Sequence, residues 1–487
     1  MDAQQPLDAL IVGAGFGGIA AAIQLRDHGF TQIEIVDSAS GPGGTWLHND
    51  YPGAACDVPS HLYSFSFDQR KDWRRLCPTQ PEILEYIKAV VSSHGLDSAI
   101  TPNTKVESCH WSDTDLVWEI NTATGRQIRA KALVLATGQL HQPAVPDIPG
   151  MEVFAGQIFH SAEWDQSVDI SGKRVAVIGT GASAVQFIPE VAEAAEHLDV
   201  YQRTGNWFMP RRNRTYPRAV AFAIKRIPGV QAWRRKFIFY YGETLTAMIR
   251  HPRTLGMLGR LRSTLFMKTQ VKDPVLRDKI WPDYTFGCKR VLFSSYFLPA
   301  LQLPNVDLLT DAVIGFTHDA VVTADGVERP TDVVILGTGF KTNDFMFPME
   351  ITGRSGLDLH TAWSDGPHAH LGMTVPGFPS MFLMYGPNTN TSGGSILVYL
   401  EAQAAYLRQA LEAVRDRGAG AVSVRPEVDA SSDRETQNNF EGTAWVRCDS
   451  WYRDREGRVV ANWPGYMSQY VRRTQQFDVT EYDFLNS

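Results

Sequence analysis

An α/β architecture with two dinucleotide-binding, Rossmann-like domains and a helical insertion is what this sequence predicts, on three observations. Two glycine-rich loops, Gly13-Ala14-Gly15-Phe16-Gly17-Gly18 and Gly179-Thr180-Gly181-Ala182-Ser183-Ala184, each end an apolar strand pattern and open a helical one. In that order a glycine loop lets backbone N–H groups approach a pyrophosphate, and the helix N-terminus adds a favourable dipole. A further strand follows each loop and closes on a charged residue 19 positions past the loop's last small residue, Asp37 in the first unit and Arg203 in the second. Between Trp207 and Lys279 the apolar spacing turns helical, interrupted by Pro210, Pro217, Pro228 and Pro252, which marks a separate segment after the second loop.

At 487 residues the chain exceeds what one core usually serves, so two or three units of about 100–200 residues are expected. Hydrophobic residues make up 44%, enough for buried cores, and the formal net charge of −7 argues against nucleic acid as a partner. Nowhere do about 18 apolar residues run together, which excludes a spanning helix. The opening MDAQQPLDALIVGAG has no basic leader, so no signal peptide is expected and the cytoplasm is the expected compartment. Cys56, Cys77, Cys109, Cys288 and Cys448 are scattered without Cys-x-x-Cys or zinc-like spacing, and are expected as free thiols with no metal.

In chain order, Asp8 to Val12 is a short apolar strand and the run IAAAIQL after Gly18 a helix. Gln32 to Val36 is the next strand. Asp37 at its end is placed to accept a hydrogen bond from a ribose hydroxyl and repels a 2′-phosphate, so the first unit is expected to hold FAD or NAD rather than NADP. Downstream stand Gly43-Gly44-Thr45-Trp46, Tyr51-Pro52-Gly53, Asp57 and Tyr63. Ala132 to Leu135 is a buried-strand pattern ending in Ala136-Thr137-Gly138-Gln139, and ligands lie at the carboxyl ends of parallel strands. His141 to Gly150, with prolines at 143, 146 and 149, has the composition of a linker. Directly after it comes FAGQIFHSAEWD, with Phe154, Gly156, His160, Trp164 and Asp165 in the spacing Phe-x-Gly-x-x-x-His-x-x-x-Trp-Asp.

The second unit repeats the device from Lys173 to Ile178, with Ala184 in place of the third glycine, as the looser form of the motif permits. Its strand Leu198 to Tyr201 ends in Gln202-Arg203-Thr204. Arg203 occupies the slot that Asp37 holds in the first unit, and a cation there suits a 2′-phosphate, so NADPH is expected. The helical segment is basic, with Arg234, Arg235, Lys236, Arg260 and Arg262 interleaved with Trp233, Phe237, Phe239 and Tyr240. A solvated cationic face is the preferred reading over a membrane-surface face that admits lipophilic substrates. Cys288-Lys289-Arg290 follows, then a strand from Asp332 to Leu336 closing in Gly337-Thr338-Gly339-Phe340, the strand Met381 to Met384, and a helix from Ile396 to Val414.

FAGQIFHSAEWD, together with Gly-Gly-x-Trp-x-x-x-x-Tyr-Pro-Gly-x-x-x-Asp over residues 43–57, resembles the signatures of the type I (class B flavoprotein) Baeyer–Villiger monooxygenases. The resemblance covers nearly the whole chain, with Gly337 where the family's return segment carries alanine. It implies a flavoprotein with FAD on Gly13, Gly15, Phe16, Gly18, Asp37, Gly44, Thr45, Trp46, Asp57 and Tyr63. Val106 is implied near the adenine, and Gln139 and Ile396 near the flavin. It implies NADPH on Thr180, Gly181, Ala182, Ser183, Ala184, Gln186, Arg203, Thr204, Lys289 and Arg290, with Ala55 and Cys56 close to the nicotinamide. Arg290, tuned by Asp57, is the implied catalytic cation: it stabilises a C4a-peroxyflavin anion and the oxyanion formed when that anion attacks a ketone. The motif carrying His160 is implied to couple the domains rather than act as a general base.

The implied layout is an FAD domain over 1–145 and 346–487, an NADPH domain over 146–205 and 284–345, and a helical insertion over 206–283. The implied reaction takes a small ketone and O2 to an ester or lactone, with sulfoxidation as a side activity. Three rivals are weighed against it. An N- or S-hydroxylating flavin monooxygenase usually ends its related motif differently from Trp164-Asp165. A pyridine-nucleotide disulfide reductase needs paired redox cysteines, and Cys56 has no neighbour. A non-catalytic nucleotide-sensing module has no use for Asp57, Lys289 and Arg290 together.

Overall fold

The computed structural model describes residues 5–211 and 213–486. Its larger sheet runs, in spatial order, Glu350–Thr352, Val106–Ser112, Val117–Thr122, Gln127–Leu135, Leu7–Val12, Ile33–Val36 and Ile100–Thr101, and Met381–Leu383 also pairs with Gln127–Leu135. The strand Leu7–Val12 is apolar and buried from Ala9 to Val12 because that stretch is covered on both faces. Ala9 and Ile11 enter one core and Leu10 and Val12 the other, as the alternation of a strand requires. Helix Phe16–Asp27 lies on one face of that sheet, packed against the long helix Ile396–Arg417, so Ile19 to Ile23 and Leu25 are all buried.

The pattern at Ala132 to Leu135 is the second half of a longer strand, Gln127–Leu135. Its first half pairs antiparallel with Val117–Thr122, and its second half runs parallel to both Leu7–Val12 and Met381–Leu383. The parallel pairing with Met381–Leu383 brings a strand from the far end of the chain onto Gln127–Leu135, on the edge opposite Leu7–Val12.

The second sheet is wholly parallel, ordered Val306–Leu309, His197–Tyr201, Arg174–Ile178, Val333–Leu336 and Gln157–His160. Beside it lies an antiparallel sheet of Val313–Phe316, Ala320–Thr323 and Glu328–Pro330. The helical segment forms four helices, Arg218–Arg226, Val230–Arg250, Leu255–Gln270 and Pro274–Ile280. The last starts on a legible cap: Asp273 accepts hydrogen bonds from the N–H groups of Val275 and Leu276, with Pro274 at the first helical position.

The structure corrects one expectation. Cys288 and Cys448 form a disulfide, with Cα atoms 6.1 Å apart, while Cys56, Cys77 and Cys109 are free and buried. The partners are separated by 160 residues, so spacing rules for local cysteine motifs have no purchase on them. Among the described residues, no helix is long and apolar enough to cross a membrane.

Candidate active site

Both glycine loops open onto one cavity of about 2570 Å³. In the first loop Gly13 has φ +111°, and a Cβ there would overlap the Ala136 carbonyl oxygen. The second loop repeats this at Gly179, with φ +108° and the Gly337 carbonyl in the same position. Each loop therefore rests on the short segment that ends a neighbouring strand, Ala136-Thr137-Gly138 or Gly337-Thr338-Gly339. Close approach of this kind is what a glycine supplies and a side chain prevents.

Of the residues expected at the first cofactor, Gly13, Gly15, Phe16, Asp37, Gly44, Thr45, Trp46, Asp57, Tyr63, Val106, Gln139 and Ile396 line the cavity. Gly18 does not. A Cβ on it would overlap the Gly13 carbonyl oxygen, so its part is to let the helix close under the loop. Asp37 is buried and accepts hydrogen bonds from the N–H of Ala14 at 2.6 Å and of Ala39 at 2.8 Å. It thereby shapes the loop and keeps acceptor capacity toward the cavity. Trp46 donates its indole N–H to the Tyr63 hydroxyl at 3.0 Å, and Tyr63 meets Phe16 edge to face, an aromatic wall on one side of the space. The Gln139 side chain is 5% exposed, yet neither end of its amide has a partner among the described residues. A buried amide with both ends unpaired is costly, and a polar ligand in the cavity would satisfy it.

Around the second loop, Thr180, Gly181, Ala182, Ser183, Gln186, Arg203, Thr204, Lys289 and Arg290 line the same cavity, as do Ala55 and Cys56. Ala184 lies beneath it, fully buried. Gln186 has a definite protein partner: its amide donates to the Ala55 carbonyl at 3.0 Å and accepts from the Ala55 N–H at 3.1 Å. This double bond to backbone ties the second unit's helix to the segment leading to Asp57. Arg203 and Lys289 face one another, and neither joins an ion pair among the described residues. Burial, then the Arg203 guanidinium, push the Lys289 ammonium below its ordinary value. Asp283 and Asp449 pull the ammonium the other way without pairing with it, and two neighbouring cations left free of ion pairs suit an anion.

Arg290 reaches across from this side and donates to Asp57 at 2.8 Å. Burial opposes ionisation of Asp57, but the Arg290 guanidinium, with Arg211 behind it, holds the carboxyl below the usual range. Asp57 in turn raises Arg290, so the pair is fully ionised at neutral pH.

Sequence reasoning missed Arg211, which is buried and donates to the Cys56 carbonyl at 2.8 Å. Adjacent residues 56 and 57 are thus each held by an arginine. Tyr385, whose hydroxyl donates to Asn390 at 2.7 Å, and Tyr452 also line the cavity near Arg290. Nothing in the spacing of these residues links them to the glycine loops. The carbonyl-capturing Arg211 follows only a Met209-Pro210 pair at the start of the basic segment.

The five residues of the motif around His160 line none of this cavity. Phe154 packs edge to face on Phe316, Gly156 lies where a Cβ would overlap Asp332 and the Phe154 ring, and Trp164 packs on Phe159 and Phe187. Asp165 closes a turn by accepting from Ser167. His160 is buried at the end of the edge strand, its Nδ1 accepting from the Ala162 N–H and its ring against Phe340. Phe340 belongs to the segment that returns the chain to the larger sheet. There it pairs antiparallel with the outgoing linker through Pro143, with Ala144 N–H donating to Gly339 and Lys341 N–H to Gln142. His160 therefore sits against the two chain crossings between the sheets and away from the reacting space.

A family description of pyridine nucleotide-disulphide oxidoreductases matches residues 10–224, the stretch that contains both glycine loops. A Baeyer-Villiger monooxygenase of Streptomyces coelicolor is 38% identical over 98% of this chain and 92% of its own length. Another of Pseudomonas aeruginosa is 38% identical over 97% of this chain and 90% of its own. Among solved structures, an oxidized steroid monooxygenase bound to NADP superposes with a TM-score of 0.88 at 28% identity, covering 99% of each chain.

Proposed function

Because this chain belongs to the Baeyer–Villiger monooxygenase family, we propose that it inserts one oxygen atom of O2 beside the carbonyl of a ketone, giving an ester or lactone. It is a flavin- and NADPH-dependent monooxygenase. FAD is held by the domain built from 1–145 and 346–487, NADPH by 146–205 and 284–345, and the helical insertion 206–283 contributes residues to the cavity lining. Its expected compartment is the cytoplasm, the source of the reduced nucleotide it consumes.

The cradles fit these groups. The first offers Asp37 to a ribose, a loop without Cβ atoms at Gly13 and Gly15 to a pyrophosphate, and the unpaired Gln139 amide to a polar ring edge. The second offers the Arg203 and Lys289 cations to a 2′-phosphate. When bound and reduced by NADPH, FAD activates O2 and supplies the inserted oxygen.

Everything else is done by the protein. Arg290 places a fixed positive charge where negative charge gathers on the ketone oxygen as its carbonyl is attacked. Asp57 orients that guanidinium and Arg211 braces the backbone beneath it. Leu245 and Met248 of the helical segment add apolar lining to the cavity, and Trp233 and Phe237 stand at its exposed rim.

The single observation that carries this reading is the ionised Arg290–Asp57 pair at the junction of the two cradles. The test is a panel of ketones and sulfides supplied to the FAD-loaded protein with NADPH under 18O2, with products identified by mass spectrometry. Esters carrying one labelled atom are the expected result. Sulfoxides with no ester would favour the hydroxylating class, and nucleotide binding without turnover would point to a sensing module.

A further inference from the structure

The helical segment is built inside out. On helix Leu255–Gln270 the buried face is Gly256, Gly259, Ser263 and Met267. A Cβ on Gly259 would overlap the Phe286 ring, and the Ser263 hydroxyl donates to the Phe208 carbonyl at 2.7 Å, so this small-residue face is the one that must pack inward. The consequence is that Met257, Leu258, Leu261 and Leu265 are each more than half exposed on the opposite face. Beside it, helix Val230–Arg250 exposes Trp233, Phe237 and Tyr240 at successive turns. The Arg262 guanidinium donates to the Tyr241 hydroxyl at 3.2 Å, which sets the exposed faces of the two helices side by side. An outward apolar stripe of this extent on a globular protein marks an interaction surface.

Charge selects the partner. Between Asp199 and Asp273 the sequence holds 16 lysines and arginines and a single carboxylate, Glu243, although the whole chain carries −7. Glu243 is turned to the protein, where it accepts hydrogen bonds from the Ser468 N–H and hydroxyl. Arg253, Arg260, Arg262 and Lys268 are exposed along or beside the leucine stripe. A second copy of the chain is a poor occupant, because a two-fold interface would bring this cation-rich surface against itself. An anionic lipid surface satisfies both features: leucines and aromatics enter the acyl boundary while long cationic side chains reach the headgroups. The surface is also continuous with the cavity, since Trp233, Phe237, Tyr241 and Arg262 line it.

We infer that the helical segment docks on an anionic bilayer, with the cavity mouth against the lipid, so that the ketones delivered to the site are lipid-soluble ones. The second half rests on the oxidation proposed above; the docking does not. The test is flotation of the FAD-loaded full chain with vesicles of phosphatidylglycerol and phosphatidylcholine, against vesicles of phosphatidylcholine alone. Salt-sensitive binding to the anionic vesicles is expected, falling about tenfold or more in the Leu258→Ser/Leu261→Ser/Leu265→Ser variant as its buried apolar area is lost. None of these leucines lines the cavity, so turnover of a water-soluble ketone should be unchanged, while turnover of a long-chain ketone presented in anionic vesicles should drop. Should the triple variant fold poorly, Arg253→Glu/Lys268→Glu must weaken anionic binding instead. Failure of the wild-type chain to float, or equal flotation with both vesicles, overturns the proposal. So does a solution dimer that dissociates in the triple-serine variant, which would assign the face to a second copy. Absence of all ketone oxidation with vesicle binding intact would instead fault the proposed reaction.

Discussion

The Gly13–Gly18 and Gly179–Ala184 loops make the same turn against the same kind of support, and they differ at the third position and at the start of the supporting segment. In the first, the third position is Gly18 and the supporting segment begins with Ala136; in the second, the third position is Ala184 and the support begins with Gly337. A Cβ added to Gly337 would stand 3.2 Å from the Ala184 Cβ, closer than side chains comfortably pack. In the first unit the third position is closed by its own loop, since a Cβ on Gly18 would overlap the Gly13 carbonyl oxygen. The need for a third glycine is therefore set by how tightly the loop's first carbonyl closes on it. The two departures from the motif, at Ala184 and at Gly337, explain each other. At the far end of each unit the difference is chemical: Asp37 organises its own loop through Ala14 and Ala39, whereas Arg203 has no carboxylate partner and meets Lys289.

The largest expected effect comes where the two units meet. Replacing Arg290 with Ala removes a fixed charge from the site of developing oxyanion charge, a loss of about 10²–10³ in ester formation. Hydride transfer from NADPH should survive in some measure, with hydrogen peroxide released in place of product. Stopped-flow reduction beside product analysis checks this, and near-normal ester yield from a folded, FAD-loaded variant would remove Arg290 from the chemistry.

Next in size is the contrast between the charged ends of the two cradles. Arg203→Ala should raise the KM for NADPH by the worth of a charged hydrogen bond, about 1.5–3 kcal/mol, and leave NADH almost untouched. Equal impairment with both nucleotides would mean that Arg203 holds structure and not a 2′-phosphate.

Gly18→Ala and Ala184→Gly test the loops themselves. The first introduces a Cβ that overlaps the Gly13 carbonyl and should cost about 1–3 kcal/mol together with bound FAD, read from the flavin absorbance of the purified protein. Ala184→Gly should leave flavin content unchanged, because it only removes a methyl group from the other unit. A yellow, fully loaded Gly18→Ala variant would break the comparison.

The smallest effect is Gly337→Ala, which crowds Ala184 by a few tenths of an ångström and should lower stability by about 1 kcal/mol or less. Combining it with Ala184→Gly restores the arrangement of the first unit. The pair should therefore be less destabilising together than the sum of the single changes, measured as Tm by calorimetry. Strict additivity would show that the two positions do not share a contact.

What the sequence determined by itself was everything whose cause is local. Strand, glycine loop, helix and the charged residue 19 positions on form one continuous supersecondary unit, so Asp37 and Arg203 could be placed at corresponding strand ends from spacing alone. Where a strand was read, its ends were legible to within a residue or two, except that the antiparallel half of Gln127–Leu135 lacks the apolar run that announced its parallel half; Val106–Ser112, Val117–Thr122 and the edge strand Gln157–His160 went unread. The tertiary structure decided the pairings across the units. Arg290 meets Asp57 across 233 residues, Gln186 clasps Ala55 across 131, and Cys288 finds Cys448 across 160. Arg211 closes on Cys56 with no motif to announce it. Each of these depends on how one folded unit sits against another, and a side chain's chemistry carries no record of the distant surface it will face. The same reason hid the outward leucines of Leu255–Gln270. Their helical spacing reads as core, and only the packing of Gly256, Gly259 and Ser263 against the protein shows which face was turned away.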